Sequence, residues 1–176
     1  MLSLVTPDDG FEASYREAVA EFATRGDDAE LGSPADLASF AGFVRELRAQ
    51  AEGRRLPPGW VAGSTFWLVD DARFIGKVEV RHSLTPALRL RGGHVGYAIR
   101  PSERRRGYGT AALAMVLPAC LDLGLVRILV TCDATNEASR RIIEINGGEL
   151  EDAVQIAGRA VPTLRYWIDV RQQLAR

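Results

Sequence analysis

The residues of this chain best suited to chemistry form one short run, Arg104-Arg105-Arg106-Gly107-Tyr108-Gly109. The run stands between a strand-like segment that ends at Ile99 and a helix-like segment that begins at Thr110. Glycine lets the backbone approach a ligand closely, and the first amides of a helix lack internal partners and lie at the positive end of its dipole. The run therefore predicts a binding site for an anionic group such as a phosphate.

Two common phosphate-binding motifs do not account for this run. A P-loop requires lysine and then serine or threonine after its last glycine, whereas Gly109 is followed by threonine and alanine. The spacing Gly107-x-Gly109-x-x-Ala112 matches a dinucleotide fingerprint, with Asp133 as a candidate ribose-binding acid. However, residues 100–106 separate the strand from the first glycine, and a single crossover follows. A doubly wound sheet cannot be built from one crossover.

The composition predicts one globular domain with a sizeable core. The chain has 176 residues, of which 47% are hydrophobic, and a mean hydropathy of -0.06. Its formal net charge of -1 and its pI near 6.2 provide no general attraction to nucleic acid or to an anionic membrane. We therefore expect neither as a partner, and the arginines at 104–106 are expected to act locally.

The two cysteines and the N-terminus indicate a cytoplasmic protein. Cys120 and Cys132 each lie in an apolar run, which favours reduced thiols packed in the core over a disulfide or a catalytic nucleophile. No apolar stretch is long enough to span a bilayer, and the first residues lack the profile of a signal peptide.

The hydrophobic spacing predicts helices before residue 57 and mostly strands after it. Ser33 and Pro34 are typical of the start of the second helix, and Pro118 predicts a bend or an early end in a later helix. The predicted helices cover residues 11–23, 34–50, 110–123 and 136–146, and the predicted strands cover 66–70, 74–82, a segment after Gly93, 126–132, 149–156 and 161–170. The order of strand, helix and strand in the middle predicts one right-handed parallel crossover.

The glycine run and its surroundings resemble the coenzyme A signature of the GCN5-related N-acetyltransferase (GNAT) superfamily. The resemblance covers residues 63–168 and includes Arg104-x-x-Gly107-x-Gly109, the strand end Ile99-Arg-Pro, and a later helix that begins Asn136-x-x-Ser139. It implies an α/β (α+β) fold with a central, mixed but mostly antiparallel sheet and helices on both faces. It also implies a single acetyltransferase domain over 1–176, with a helical acceptor-side part at 1–60 and a sheet and acetyl-CoA-binding core at 61–170.

The resemblance further implies acetyl-CoA as co-substrate, no metal, and a primary amine of a small molecule or peptide as acceptor. The cofactor-binding residues that it implies are Ala98, Ile99, Arg104, Arg105, Arg106, Gly107, Tyr108, Gly109, Thr110 and Asn136. Two of the features have structural alternatives: the small pair Gly96 and Ala98 is also typical of close helix packing, and Asn136 is also a good helix cap. The protein is expected to be a monomer or a homodimer.

The catalytic residues follow less directly from the pattern. The tyrosine that protonates the leaving thiolate in many members of the superfamily falls at Ile143, which cannot donate a proton. Ser139 resembles a serine near the sulfur in relatives that modify protein N-termini, so it or a water molecule is a candidate donor. Tyr97, Tyr108 and Tyr166 are other candidate donors. For the base, a symmetric hairpin sets Glu79 opposite Tyr97, although an ion pair of Glu79 with Lys77 or Arg81 is an alternative.

The same symmetric register pairs His82 with His94, which predicts a hydrogen-bonded pair of histidines at the strand ends. Two rival functions remain open from the sequence: a non-catalytic acyl-CoA sensor, which the absence of the usual tyrosine allows, and an NAD-binding oxidoreductase. The loop over residues 83–92 is expected to line the acceptor side, but its composition does not specify an acceptor.

Overall fold

The computed structural model describes residues 1–26, 31 and 37–175. Within these residues seven strands form one sheet: β1 Leu2–Val5, β2 Gly63–Asp70, β3 Arg73–Arg81, β4 Val95–Ile99, β5 Arg127–Asp133, β6 Glu149–Val154 and β7 Thr163–Asp169. The α-helices of the same residues are α1 Glu12–Thr24, α2 Phe40–Ala51, α3 Pro86–Leu90, α4 Tyr108–Asp122, α5 Glu137–Ile145 and α6 Val170–Leu174. A 3-10 turn at Pro101–Glu103 connects β4 to the glycine run.

The strands lie in the order β1-β2-β3-β4-β5-β7-β6. Every neighbouring pair is antiparallel except β4 and β5, which α4 connects by a crossover. The sheet is thus mixed and mostly antiparallel, as predicted. A single parallel pair also excludes the doubly wound sheet of a dinucleotide-binding domain.

Two apolar clusters, one on each face, hold the sheet between its helices. On one face α4 packs against aliphatic side chains such as Leu68, Val78 and Val95. On the other face α1 and α2 supply aromatic rings, and the fully buried Tyr15 lies 4.9 Å from the ring of Trp67. Each such buried side chain stabilises the fold by roughly 1.5–3 kcal/mol, so the strand positions between the two layers are well fixed.

A gap opens between the two parallel strands. β4 and β5 are paired only at Val95 and Val130, and beyond this point the strands separate. The amide of Arg100 donates to the Ile75 carbonyl of β3 at 2.8 Å. Because antiparallel ladders alternate, the main-chain groups of Tyr97 and Ile99 point away from β3 and into the gap. Beyond the Val95–Val130 pair, this edge of β4 therefore pairs with no strand of the described residues, and the Ile99 carbonyl accepts from Arg104 Nε at 3.0 Å.

Several elements differ from the sequence prediction. Helix α2 begins at Phe40, where the Ser39 side chain accepts from Gly42 N at 3.2 Å, and not at Pro34. The predicted cap at Ser33 lies outside the described residues. Helix α4 continues through Pro118 to Asp122, so the proline does not shorten it. The short elements β1, α3 and α6 were not predicted, and β1 adds a strand to a part of the chain that was expected to be helical.

Candidate active site

The glycine run forms an open turn at the start of α4. Gly107 has a φ of 82° and precedes the helix, and no side chain caps the first turn. A Cβ on Gly107 would meet no atom within 4 Å, so the space in front of the first helical amides is open. These amides have no intrahelical partner, and the arrangement is suited to an anion.

A first cleft of about 920 Å³ lies in front of this turn and reaches the gap beside β4. Nine of the ten residues predicted to bind the cofactor line it: Ala98, Ile99, Arg104, Arg105, Gly107, Tyr108, Gly109, Thr110 and Asn136. Its far wall is α5, where the side chain of Ile142 packs so closely on Gly109 that a Cβ there would lie 2.6 Å from Ile142 Cδ1.

The tenth predicted residue, Arg106, is not among the residues that line the first cleft. Its guanidinium donates to Glu103, which Arg73 also contacts at 2.9 Å. Glu103 is 5% exposed, and although burial opposes its ionisation, the hydrogen bonds from Arg106 and Arg73 hold its pKa below the usual range. Arg106 therefore orders the loop, while Arg104 and Arg105 of the same run line the cleft, as does Arg141 of α5.

A second cleft, of about 520 Å³, lies beside β3 and the gap. The two clefts have three lining residues in common: Tyr97, Asn136 and Ser139. The hydroxyl oxygens of Tyr97 and Ser139 are 2.8 Å apart, and Asn136 Oδ1 accepts from Ser139 N at 3.0 Å. Burial raises the pKa of Tyr97 to about 12, so its hydroxyl remains protonated at neutral pH. We call these three residues the junction.

The predicted role of Asn136 as a helix cap is thus observed, and it leaves the amide nitrogen of the same side chain available to the clefts. Ile143, at the position of the usual tyrosine, is fully buried in the core. Cys132 lines the second cleft, and burial raises the pKa of its thiol. Cys120 is fully buried, as predicted for a core thiol, and its pKa is raised to about 12.

The prediction that Glu79 lies opposite Tyr97 is wrong. β3 and β4 pair in a register one residue away from the symmetric hairpin, so Glu79 faces Gly96 and Val78 faces Tyr97. Glu79 still lines the second cleft, where Lys77 Nζ donates to it at 2.7 Å and Arg81 at 3.3 Å. Burial opposes its ionisation, but these two cations hold its pKa below the usual range. The alternative of an ion-paired glutamate is therefore the one observed.

The predicted histidine pair is also wrong, for the same reason of register. The residue opposite His94 is Arg81 and not His82, and the backbone amide of Arg81 donates to the His94 carbonyl at 2.7 Å. His82 Nε2 instead lies 2.9 Å from Ser64 Oγ, and His94 Nδ1 accepts from Leu129 N at 2.9 Å. Burial, followed by the charges of Arg89 and Arg81, lowers the pKa of His94 to about 4. His94 is thus a neutral, structural acceptor.

Sequence reasoning missed part of both clefts. Thr131 and Thr163 line the second cleft, and Ile142 lines the first. Arg91 also lines the second cleft and belongs to the loop over residues 83–92 that was expected on the acceptor side, but no role was assigned to it. For Ile142 the helical spacing of α5 was a usable signal, since it places residues 138, 142 and 145 on one face. For the threonines no local pattern exists, because separate elements bring them together. In the described part of the chain no group of three or more His, Cys, Asp and Glu side chains is arranged to hold a metal. Nor does that part contain a helix long and apolar enough to cross a bilayer.

Solved structures similar to this chain are acetyltransferases. RimJ of Mycobacterium smegmatis, in complex with a coenzyme A disulfide, has 22% identity and a TM-score of 0.68 over 99% of this chain and 88% of that one. A Salmonella typhimurium acetyltransferase that modifies the N-terminal serine of ribosomal protein L7/L12 has 14% identity and a TM-score of 0.65, covering 94% and 93%. A chimera of the Vibrio cholerae spermidine acetyltransferase SpeG has 19% identity and a TM-score of 0.64, covering 99% of both chains.

None of the curated proteins matches this chain. The family model described as an acetyltransferase (GNAT) domain, however, matches residues 2–149. This span includes the glycine turn, the gap beside β4 and all three residues of the junction. The chain therefore belongs to the GNAT family of acetyltransferases.

Proposed function

We propose that this protein transfers the acetyl group of acetyl-CoA to the α-amino group of an amino acid or peptide by direct attack. One observation carries the proposal: a cleft with an anion-binding turn and a second, polar cleft meet at the Tyr97–Ser139 hydroxyl pair. Such a meeting point brings the thioester and the amine together from opposite sides. Family membership and the coenzyme A complexes of similar structures support the same co-substrate.

The first cleft offers binding groups for the pyrophosphate and for the pantetheine arm of acetyl-CoA. The pyrophosphate would lie on the open amides at Tyr108–Thr110, with Arg104 and Arg105 adding charge-assisted hydrogen bonds. The pantetheine arm carries amides, so it can pair with the main-chain groups of Tyr97 and with the Ile99 amide like an added strand, next to the Ile99 carbonyl that accepts from Arg104 Nε. Coenzyme A bound in this way would have its sulfur near the junction, where the gap between β4 and β5 begins.

The leaving thiolate requires a hydrogen-bond donor. Tyr97 and Ser139 would provide it, since their hydroxyls already share a hydrogen bond and line both clefts. Full proton transfer from Tyr97 is unfavourable, because its pKa of about 12 exceeds that of an ordinary thiol, about 8.5, by an amount that costs roughly 5 kcal/mol. The pair would therefore stabilise the thiolate, and the proton lost by the attacking amine would neutralise it.

The acceptor must reach the site as a neutral amine. Glu79 is a weak base, because Lys77 and Arg81 hold its pKa below the usual range. Deprotonating a lysine-type amine, with a pKa of about 10.4, would be difficult for such a group, whereas an α-amine with a pKa of about 8 is partly neutral at physiological pH. This difference supports an α-amine as the acceptor. We propose that Glu79 positions its two cations and does not act as the base.

Incubation of the protein with acetyl-CoA and a panel of amines tests the proposal. Release of free thiol and an acetyl mass increment on an α-amine are expected, and a lysate incubated with labelled acetyl-CoA would identify natural acceptors by mass spectrometry. A protein that acetyl-CoA protects against unfolding, without turnover of any amine, would instead be a sensor. Protection by NADH and not by acetyl-CoA would contradict the proposal altogether.

A further inference from the structure

We propose that the second cleft contains an anion subsite at Arg91, which binds a carboxylate of the acceptor close to its reacting amine, with Arg81 adding positive charge beside it. The inference rests on the proposed function, because it assigns the acceptor to this cleft. It goes further by naming the charge that the acceptor must carry. The acceptor would thus be an α-amine with a carboxylate a few bonds away.

The lining of the second cleft has more cationic than anionic side chains. Its described lining has three cations, Lys77, Arg81 and Arg91, and two carboxylates, Glu79 and Asp133. The cleft therefore carries a surplus of positive charge next to the junction. A cationic acceptor would be repelled by this surplus, and an anionic group would be attracted to it.

Both carboxylates are already engaged. Arg159, from outside the cleft, donates to both oxygens of Asp133 at 2.7 Å, and Lys77 and Arg81 hold the two oxygens of Glu79. Arg91 Nε lies 3.9 Å from Asp133 Oδ1, which is beyond hydrogen-bond distance, and its side chain is 55% exposed. The Arg91 fork is thus positioned to bind a carboxylate of a ligand by two hydrogen bonds.

Hydroxyl groups next to the arginines add further donors. Thr131 Oγ1 accepts from Gly92 N at 2.9 Å, which leaves its own proton available. Thr163, also in the cleft lining, is 1% exposed, and its Oγ1 has no hydrogen-bond partner within the described part of the chain. A buried hydroxyl without a partner lowers stability, so a polar ligand or a water molecule at this end of the cleft would be favoured.

The low pKa of His94 is consistent with a positive field in this part of the molecule. Burial is the main cause, but Arg89 and Arg81 both contribute to it. The volume of about 520 Å³ holds both the junction and the arginines. An amine at Tyr97 and a carboxylate at Arg91 can therefore belong to one small acceptor, either a free amino acid or a peptide with an acidic residue near its N-terminus.

Acetylation rates of matched acceptors test the inference. Three peptide amides, Ser-Asp-Ala, Ser-Asn-Ala and Ser-Lys-Ala, differ only in the second residue, which is anionic, neutral and isosteric with it, or cationic, while free serine and serine amide test a free amino acid. Spermidine serves as the polycation. We expect the carboxylate-bearing member of at least one pair, Ser-Asp over Ser-Asn or serine over its amide, to have a kcat/KM higher by about tenfold. The pair that shows the preference identifies the source of the carboxylate.

Arg91→Gln should reduce that preference to less than about threefold, because the bidentate donor is lost. Arg171→Gln, an exposed arginine of α6 that does not line either cleft, is the matched control and should retain the wild-type preference. Equal rates within both pairs, or spermidine as the best acceptor, would overturn the inference and leave the acetyltransferase in place. Absence of acetylation of every amine would overturn the proposed function itself.

Discussion

The hydroxyl oxygens of Tyr97 and Ser139 lie 2.8 Å apart although the two residues come from different elements, β4 and the first turn of α5. The hydrogen bond spans the gap that β4 and β5 leave when they separate beyond Val95 and Val130. Because both side chains line both clefts, any thioester that reaches this point from the glycine turn would meet these two hydroxyls. The resemblance to the superfamily places the usual tyrosine at Ile143, and we propose this pair for the same task.

Removal of the junction hydroxyls should slow turnover more than it weakens binding. We expect Tyr97→Phe and Ser139→Ala each to lower kcat by about 10- to 100-fold, since one donor to the leaving thiolate is lost, with the KM for acetyl-CoA changed less than threefold. Steady-state thiol release measures both constants. Tyr166→Phe is a suitable control, because this hydroxyl contacts Glu144 and lines neither cleft. An unchanged kcat in both junction variants would contradict the role of the pair.

Glu79→Gln should have a modest effect on the reaction. The carboxylate is held by Lys77 and Arg81, so its loss leaves two cations without their shared partner and does not remove a base. We expect kcat/KM for an α-amine to fall less than tenfold and the shape of its pH profile to remain that of the wild type. A general base would contribute about 10²- to 10⁴-fold. A loss of that size, with an acidic limb missing from the profile, would show that Glu79 is the base after all.

Disulfide exchange at Cys132 should test the proposed position of the coenzyme sulfur. The proposed site brings that sulfur next to Cys132, which lines the second cleft together with the junction residues, whereas Cys120 lies within α4 and is fully buried. Incubation with the disulfide of coenzyme A should therefore join one coenzyme A to Cys132, releasing the second as a free thiol. Peptide mass spectrometry reads the site, and acetyl-CoA should prevent the reaction. Modification of Cys120 instead, or of both cysteines equally, would argue against the proposed seat. The raised pKa of Cys132 makes this exchange slow at neutral pH, so it should accelerate toward alkaline pH.

Most of the fold and the glycine turn could be predicted, because their signals are local. Gly107 and Gly109 stand at fixed distances from the start of α4, and the hydrophobic periods of β2, β3, β5 and α5 are clear in the sequence. The predicted pairing of β3 with β4 was wrong by one residue, and this error was enough to misplace Glu79 and both histidines. Register depends on the packed faces of the whole sheet, and the turn between these strands contains the unpredicted helix α3.

The second cleft could not be predicted from the sequence for a different reason. Arg91 follows α3, Thr131 lies in β5 and Thr163 begins β7, so their meeting depends on the complete sheet order. The role of Asn136 as a helix cap was predictable from the sequence, whereas its place in the clefts was not. Asn136 caps α5 as its residue type predicts, and its place at the junction follows only from the separation of β4 and β5.

His94 should make the fold less stable in mild acid. Its pKa in the folded protein, about 4, lies below the unfolded value of 6.5, so its neutral form is favoured in the native state. The stability that this preference contributes is present above pH 6.5 and is lost as the pH falls from 6.5 toward 4, by at most about 3 kcal/mol. Urea denaturation across this range measures the loss.

His94→Asn should flatten that pH dependence, because an amide oxygen can still accept from Leu129 N but cannot titrate. His82→Gln is the control, and since His82 is only partly buried, we expect it to change the slope less. A His94→Asn protein with the full wild-type pH dependence would show that other groups cause the acid sensitivity.

Acetyl-CoA affinity in two matched glycine variants tests the central claim most directly. Gly107 and Gly124 have similar positive φ angles, 82° and 78°, and neither has an atom within 4 Å of a built Cβ. Leucine at either position should therefore cost a similar backbone strain of about 1–2 kcal/mol. Of these two glycines, Gly107 lines the first cleft and Gly124 does not. Calorimetric titration should show binding weakened at least about tenfold in Gly107→Leu and unchanged in Gly124→Leu. Wild-type affinity in a folded Gly107→Leu protein would contradict the assignment of the coenzyme to the glycine turn.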